Sequence, residues 1–253
     1  MAAAVGTDGT AFLYVPRCNA LACTCIECPR PAPAIRMSPP RRAKEKENLV
    51  MLKIYGNPMS TCTRKVLMTL AETNTPFEMT VVDFSKGEHK QEPNIRRQPF
   101  GRVPSLDDDG FEMFESRAMA RYLNERAGGK LAPSDAKGRA KMEQWISIET
   151  SEFSGNAMKF IAEYIFKRPQ EPAVLDAAGK ALATTCGVME AQLAKTPFIA
   201  GSDFTLADVG FMPYLEYAMA TPAKDIFAKY PHVMSWWNKI SERPTWRKAT
   251  GKV

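Results

Sequence analysis

The sequence predicts a small α/β unit followed by an all-helical domain, and three observations carry that prediction. Residues 51–127 alternate strand-type and helix-type patterns in the order βαβ, helix, ββ, helix, the mark of an α/β unit. Gly128-Gly129-Lys130-Leu131-Ala132-Pro133 then interrupts every period and reads as a linker. Beyond it there is little strand signal. The expected division is therefore 51–127, a linker over 128–136, and a helical part over 137–253.

The elements follow in order. Leu52-Lys53-Ile54-Tyr55 alternates like a strand and stops at the turn signal Gly56-Asn57-Pro58. Ser60 or Thr61 opens a helix with the apolar stripe Val66, Leu67, Leu70 and Ala71. A second strand is expected over 77–82, in residues suited to a half-buried sheet, and a short polar helix over 88–97. Strands over 103–106 and 111–114 flank the acidic turn Asp107-Asp108-Asp109-Gly110, and a third helix runs over 116–126. After the linker, a long helix is expected over 137–166, burying Met142, Trp145, Ile146, Ile148 and Phe153, and another over 172–193. Thr205-Leu206-Ala207-Asp208 has the spacing of a capping box, with Phe204 and Val209 placed as a staple. This is folding chemistry rather than catalysis. A short helix over 222–230 and a last one from Pro231, burying Val233, Trp236, Trp237 and Ile240, complete the chain.

Composition bounds what such a chain does. With 253 residues, 45% of them hydrophobic, it can bury a full core. No apolar run approaches the ~20 residues of a membrane span, so a cytoplasmic protein with no membrane partner is expected. Net charge is +6, but residues 1–50 hold seven Lys/Arg against four acids, leaving +3 for the rest. That weak surplus, without a basic stripe interleaved with aromatics, argues against nucleic acid and for small anions. Only Cys62 and Cys186 lie beyond the first 28 residues, too few for a disulfide framework, so a reducing compartment is expected. The two histidines, His89 and His232, make a His-based metal cluster unexpected; His232, at a helix start, reads as structural.

Residues 1–50 show neither period, and Pro29, Pro31, Pro33, Pro39 and Pro40 break any helix. Ala11-Phe12-Leu13-Tyr14-Val15 is too short for a secretory apolar core. The prolines disfavour a transit helix, and Cys18, Cys23, Cys25 and Cys28 depart from paired zinc spacing. A disordered extension, or an overcalled start with Met51 as first residue, is the expectation; mass spectrometry of the native N-terminus tests it.

One junction stands out. At Glu115-Ser116-Arg117-Ala118 a strand hands over to a helix, and the first N–H groups of a helix make a seat for a carboxylate. Alongside it stand Ser60-Thr61-Cys62-Thr63-Arg64-Lys65-Val66, Gly87-Glu88-His89-Lys90 and Pro99-Phe100-Gly101-Arg102-Val103-Pro104. Four such motifs in this order, with the capping box, resemble the cytosolic glutathione transferases, and within them the phi class. The resemblance covers roughly residues 51–250. It implies an N-terminal thioredoxin-like βαβ–ββα domain and an all-helical C-terminal domain.

The resemblance also implies a chemistry. Glutathione would be the co-substrate, with no other cofactor, and small apolar electrophiles the second substrate in a detoxifying homodimer. Ser116 and its helix N-terminus would hold the γ-glutamyl carboxylate, and Glu115 would face the ammonium or steady the network around it. Arg117 reads as an interface or network residue rather than a ligand contact. A cis Val103-Pro104 peptide would turn the Val103 backbone to the cysteinyl unit. His89, Lys90 and Arg102 would reach the glycyl carboxylate, against solvated Lys90 and Arg102 side chains as the plain reading. Ser60 would be catalytic, as a hydrogen-bond donor to the thiolate. A thiol of pKa near ~8.5 is mostly protonated at neutral pH, and lowering it by roughly two units corresponds to about 2.7 kcal/mol. Ser60 as a helix cap is the structural alternative. Met59, Phe84, Phe153 and Phe160 are apolar candidates for the acceptor pocket, though aromatics at helical spacing are usually core. Two rivals remain: glutathione-dependent thiol transfer through Cys62, and a non-catalytic ligand-binding protein of the same fold.

Overall fold

The structure, a computed structural model, describes residues 51–251; the expectations for residues 1–50 lie outside the described residues. Strand β1 (Leu52–Gly56) sits at the centre of the first half, with Leu52 and Ile54 pointing into the core. It pairs parallel with β2 (Phe77–Val81) and antiparallel with β3 (Ser105–Asp108), which pairs antiparallel with β4 (Phe111–Phe114). The sheet order is β2-β1-β3-β4. Helix α1 (Thr61–Thr73) is the crossover between β1 and β2, and α3 (Ser116–Arg126) follows β4. Leu52, Ile54, Val66, Leu70, Leu106, Met119 and Leu123 form one buried cluster between the sheet and these helices.

Two expectations on this half are corrected. The polar helix expected over 88–97 is broken into a 3-10 turn, Glu88–Lys90, and a short α2 (Asn94–Arg97). Pro93, whose peptide with Glu92 is cis, stands between them and cannot supply the N–H that continuity needs. The third strand begins at Ser105, because Val103 and Pro104 form the loop before it.

The rest is helical. The expected long helix is present as an unbroken helical run that a π turn over Glu149–Phe153 divides into α4 (Ala136–Ile148) and α5 (Ser154–Tyr164). Helix α6 (Pro172–Leu193) has the expected bounds, with proline at its first turn. Helix α7 (Leu206–Ala218) starts on the capping box: Asp208 Oδ2 accepts from Thr205 N at 2.8 Å and Thr205 Oγ1 accepts from Ala207 N at 3.3 Å. The other Asp208 oxygen accepts from Ile199 N and from Trp236 Nε1. The buried carboxylate thus ties together a loop and two helices. Helix α8 spans only Lys224–Phe227, and α9 (Pro231–Ser241) buries the four predicted residues. It is not the last helix, since α10 (Pro244–Thr250) follows and buries Trp246.

Helix α1 carries both halves. It buries Thr61 and every residue from Thr63 through Leu70, including Lys65, whose ammonium has nowhere to be solvated. Glu149, itself fully buried, accepts from Lys65 Nζ at 3.2 Å and from Arg117 Nε and Nη2 at 2.7 and 2.9 Å. Arg117 is thus a network residue. At the far end of α1, Glu72 accepts from Arg243 Nε and Nη2, both at 2.8 Å, and pairs with Thr245 Oγ1. Among the described residues, no helix is long and apolar enough to cross a membrane.

Candidate active site

The chain from β1 to α1 is bent sharply and held from several sides. Gly56 is required there, because a Cβ on it would lie 2.8 Å from Thr63 Cγ2. Asn57 donates from Nδ2 to Val82 O and accepts Met59 N on Oδ1. Arg64 Nε donates to Pro58 O at 2.8 Å, and Tyr217 Oη, from α7, donates to Met59 O at 2.8 Å. The Arg64 guanidinium lies over the Tyr217 ring at 4.5 Å. Burial raises the Tyr217 pKa while Arg64 opposes that rise, so the phenol stays a donor. Two arms, one from each half of the fold, therefore fix the carbonyls just before Ser60.

Ser60 is the N-cap of α1, with extended backbone (φ −75°, ψ 127°), and its Oγ accepts from Thr63 N at 3.3 Å. The capping bond uses a lone pair, so the hydroxyl hydrogen has no acceptor among the described residues. Cap and free donor coexist on one oxygen.

A cavity of about 570 Å³ opens at this point. Its lining brings together Met59, Ser60, Thr61, Phe84, His89 and Gly101-Arg102-Val103 from the first half, with Met158, Phe166 and Arg168 from the second. The His89 ring stands edge-on to Phe84, centroids 5.1 Å apart, and its buried Nδ1 has no hydrogen-bond partner among the described residues. The Val103-Pro104 peptide is cis. Asn94, 4% exposed, joins two walls: its Nδ2 donates to His89 O at 2.9 Å and to Arg102 O at 3.1 Å. Gly101, at φ +60°, lies so close to the His89 turn that a Cβ would meet His89 O at 3.3 Å. A second hollow, about 780 Å³ between α1, β2 and α10, contains none of the predicted site residues.

Other predicted residues fall elsewhere. Glu115, Ser116, Pro104 and Lys90 are not part of the cavity lining. Glu115 takes the N-cap position of α3 with φ +73° and ψ 101°, and Ser116 is the first helical residue, 3% exposed. A non-glycine residue at that φ carries strain, which persists where the surroundings or function require the side chain. The Ser116 hydroxyl has no partner among the described residues, so this helix start still offers unpaired donors. Lys90 is exposed.

Of the acceptor candidates, Phe153 and Phe160 take the core alternative and do not line the cavity. Phe153 is wholly buried, with ring centroids 5.0 Å from Phe211 and 6.1 Å from Phe227, and Phe160 is 8% exposed in the same core. They lie seven residues apart, about two turns, on one inward stripe with Ala157 and Ile161. Met158, about 140° round the helix from Phe153, faces the cavity instead. That phase difference was available in the sequence and would have identified Met158; Phe166 and Arg168, beyond the helix end, carried no such signal. Met59 and Phe84, 50% and 42% exposed, do line the cavity.

Cys62 does not line the cavity. Its Sγ lies 4.0 Å from Tyr214 Oη, on the side of the Lys65–Glu149 cluster. Tyr214 is held protonated, because burial first and then its neighbours Cys62 and Glu149 raise its pKa. His232 pairs through Nδ1 with Glu190 at 2.6 Å, well away from the cavity. The described residues contain no group of three or more His, Cys, Asp or Glu placed to hold a metal.

Comparison with known proteins gives a consistent picture. Family models described as "Glutathione S-transferase, N-terminal domain" and "Glutathione S-transferase, C-terminal domain" match residues 50–125 and 155–244. Glutathione S-transferase F7 of Arabidopsis thaliana is 35% identical over 204 residues, covering 78% of this chain and 98% of the relative. The crystal structure of glutathione transferase F7 from Populus trichocarpa superposes with a TM-score of 0.76 at 35% identity, covering 79% of this chain and 98% of that one. Glutathione S-transferase I from maize, solved in complex with an atrazine glutathione conjugate, gives a TM-score of 0.74 at 28% identity, over 79% and 97% of the two chains.

Proposed function

The chain belongs to the glutathione S-transferase family, on the side of its phi class, and from that membership we propose how its cavity carries out transfer. The protein conjugates the glutathione thiolate to electrophiles. The observation that carries the proposed mechanism is the cavity at α1, where the unspent Ser60 donor, His89, Arg102 and Val103 stand beside Met59, Phe84, Met158 and Phe166.

Glutathione enters with its two carboxylates apart. Ser116 and the start of α3 take the γ-glutamyl carboxylate, with Glu115 turned to the ammonium. The Val103 backbone, at the cis Val103-Pro104 bond and in the cavity lining, pairs with the cysteinyl unit. His89 and Arg102 serve the glycyl carboxylate, with exposed Lys90 adding charge from outside the lining. The thiol then lies at Ser60, whose O–H donates to sulfur while the N-terminus of α1 favours the anion. The thiol proton leaves to solvent, sulfur bonds to the electrophilic carbon, and the leaving group departs with the electron pair of the broken bond. Catalysis is binding, orientation and thiolate stabilisation. Reduction of organic hydroperoxides by the same thiolate, with a second glutathione closing the disulfide, belongs to this reading.

Glutathione is a co-substrate, and no cofactor step is needed. The domain limits 51–127 and 137–253, the cytoplasmic location and a homodimer complete the proposal, the dimer being checked by light scattering. Thiol transfer through Cys62 is disfavoured by the orientation of that thiol toward Tyr214.

Chlorodinitrobenzene and glutathione test the mechanism directly. Thioether formation is expected from the wild type and is expected to collapse in Ser60→Ala with glutathione affinity largely kept. Equal turnover in the two proteins removes Ser60 from the chemistry.

A further inference from the structure

Arg168 is the one charged residue that the helical half contributes to the cavity lining. Its position is set by the backbone. Phe166 N and Arg168 N donate back to Ile161 O and Ala162 O at 3.0 and 2.8 Å, closing the end of α5, while Lys167 between them turns the chain at φ +54°. Gln170 secures the far side, donating from Nε2 to Arg168 O at 3.1 Å and from its backbone N to Glu163 at 2.6 Å. The guanidinium, by contrast, makes no ion pair or hydrogen bond with any described residue. Among the described residues no carboxylate lines the cavity to neutralise it: the ionisable lining residues are His89, Arg102 and Arg168. Arg168 is itself exposed at the mouth of a lining that is otherwise largely apolar, through Met158, Phe166, Met59 and Phe84.

A buried apolar acceptor has no use for a free guanidinium, which matches planar carboxylate geometry better than any other side chain. We propose that Arg168 is a specificity residue selecting electrophiles that pair an apolar body with a carboxylate remote from the reacting carbon. The proposal rests on the transfer reading above and adds the acceptor class. It assigns the two arginines of the lining to different substrates: Arg102 to glutathione, Arg168 to the acceptor.

Two acceptors that differ by a single group provide the test: chlorodinitrobenzene and its carboxylated counterpart chlorodinitrobenzoate, each assayed at saturating glutathione. In both, the C–S bond forms as chloride leaves, so the chemistry is matched. The readout is the ratio of kcat/KM for the benzoate to that for the benzene. A charge-assisted contact at a solvent-open site predicts that Arg168→Gln lowers this ratio about tenfold, through acceptor KM rather than kcat. Arg168→Lys, which keeps the charge without the planar fork, falls in between, and added salt lowers the wild-type ratio by screening. An unchanged ratio in Arg168→Gln overturns the assignment. A parallel loss on both acceptors with a raised KM for glutathione overturns it too, placing Arg168 on the co-substrate. Failure of the wild type on both acceptors defeats the transfer reading itself, and this inference with it.

Discussion

Helix α1 has two polar surfaces that are finished in opposite ways. On the inner one, Lys65 is 1% exposed and meets Glu149, which also takes both arms of Arg117. Burial pulls the Lys65 pKa down, and Glu149 acts against that pull. At the N-terminal tip, Ser60 keeps a free O–H and the neighbouring His89 an unpartnered Nδ1. Closed networks hold the halves of the fold together; open valences mark where a ligand completes the structure. Unsatisfied polar atoms beside a cavity are thus more informative than polar residues as such.

The comparison can be broken from its closed side first. Glu149→Ala leaves two cations without a counter-charge in a buried site, and the expected cost is about 3–5 kcal/mol by urea unfolding. A loss below about 1 kcal/mol means that water reaches the cluster and that the two surfaces are alike. Ser60→Ala attacks the open side. Turnover should fall about a hundredfold, the equivalent of a two-unit rise in thiol pKa, while the lost cap costs only about 1 kcal/mol of stability.

Glu72 sharpens the contrast through pH. Its carboxyl is pushed up by burial, but the bonds from Arg243 and Thr245 outweigh that and hold its pKa below the ordinary 4.5. The unfolded chain therefore takes up this proton first as pH falls. The stabilisation is complete above about pH 4.5 and is lost below it, toward the folded-state value. Unfolding of Glu72→Gln is expected about 1 kcal/mol easier at pH 7, the pair being screened by partial exposure, with a shallower decline in acid than the wild type. Parallel declines count against the clamp. The smallest effect is expected at Asn94→Asp, which cannot donate to His89 O and Arg102 O: KM for glutathione should rise about fivefold with kcat little changed. A drop in kcat alone removes Asn94 from the binding walls.

Local signals were readable in the sequence wherever one residue type decides the backbone. Pro172 fixed the start of α6, and the Thr205–Asp208 spacing fixed that of α7. The motif around Ser60 led to the cavity by family resemblance instead, since locally Ser60 reads only as a helix cap. Pro93 was equally visible, and the helix expected across it was a misreading of the proline's missing donor. The π turn at Glu149–Phe153 has no such marker, so the long helix was expected unbroken. Lys65 and Glu149 are 84 positions apart, and no local pattern announces that a lysine in an apolar stripe finds its counter-ion there. Phe153 and Phe160 joined the core rather than the cavity, the alternative that aromatics at helical spacing already carried.

The bond from Tyr217 to the Met59 carbonyl has an evolutionary consequence. Tyr217 also stacks edge-on against Phe166, at 5.9 Å, in the helical wall of the cavity. One side chain thus leans on the cavity wall with its ring and on the loop before Ser60 with its oxygen. Drift in the helical half that retunes which electrophiles fit will pass through this ring and be felt one peptide away from Ser60. Diversification of acceptor range in such a scaffold is therefore constrained at α7, and freer at positions such as Met158 and Arg168, which line the same space without any bond to that loop.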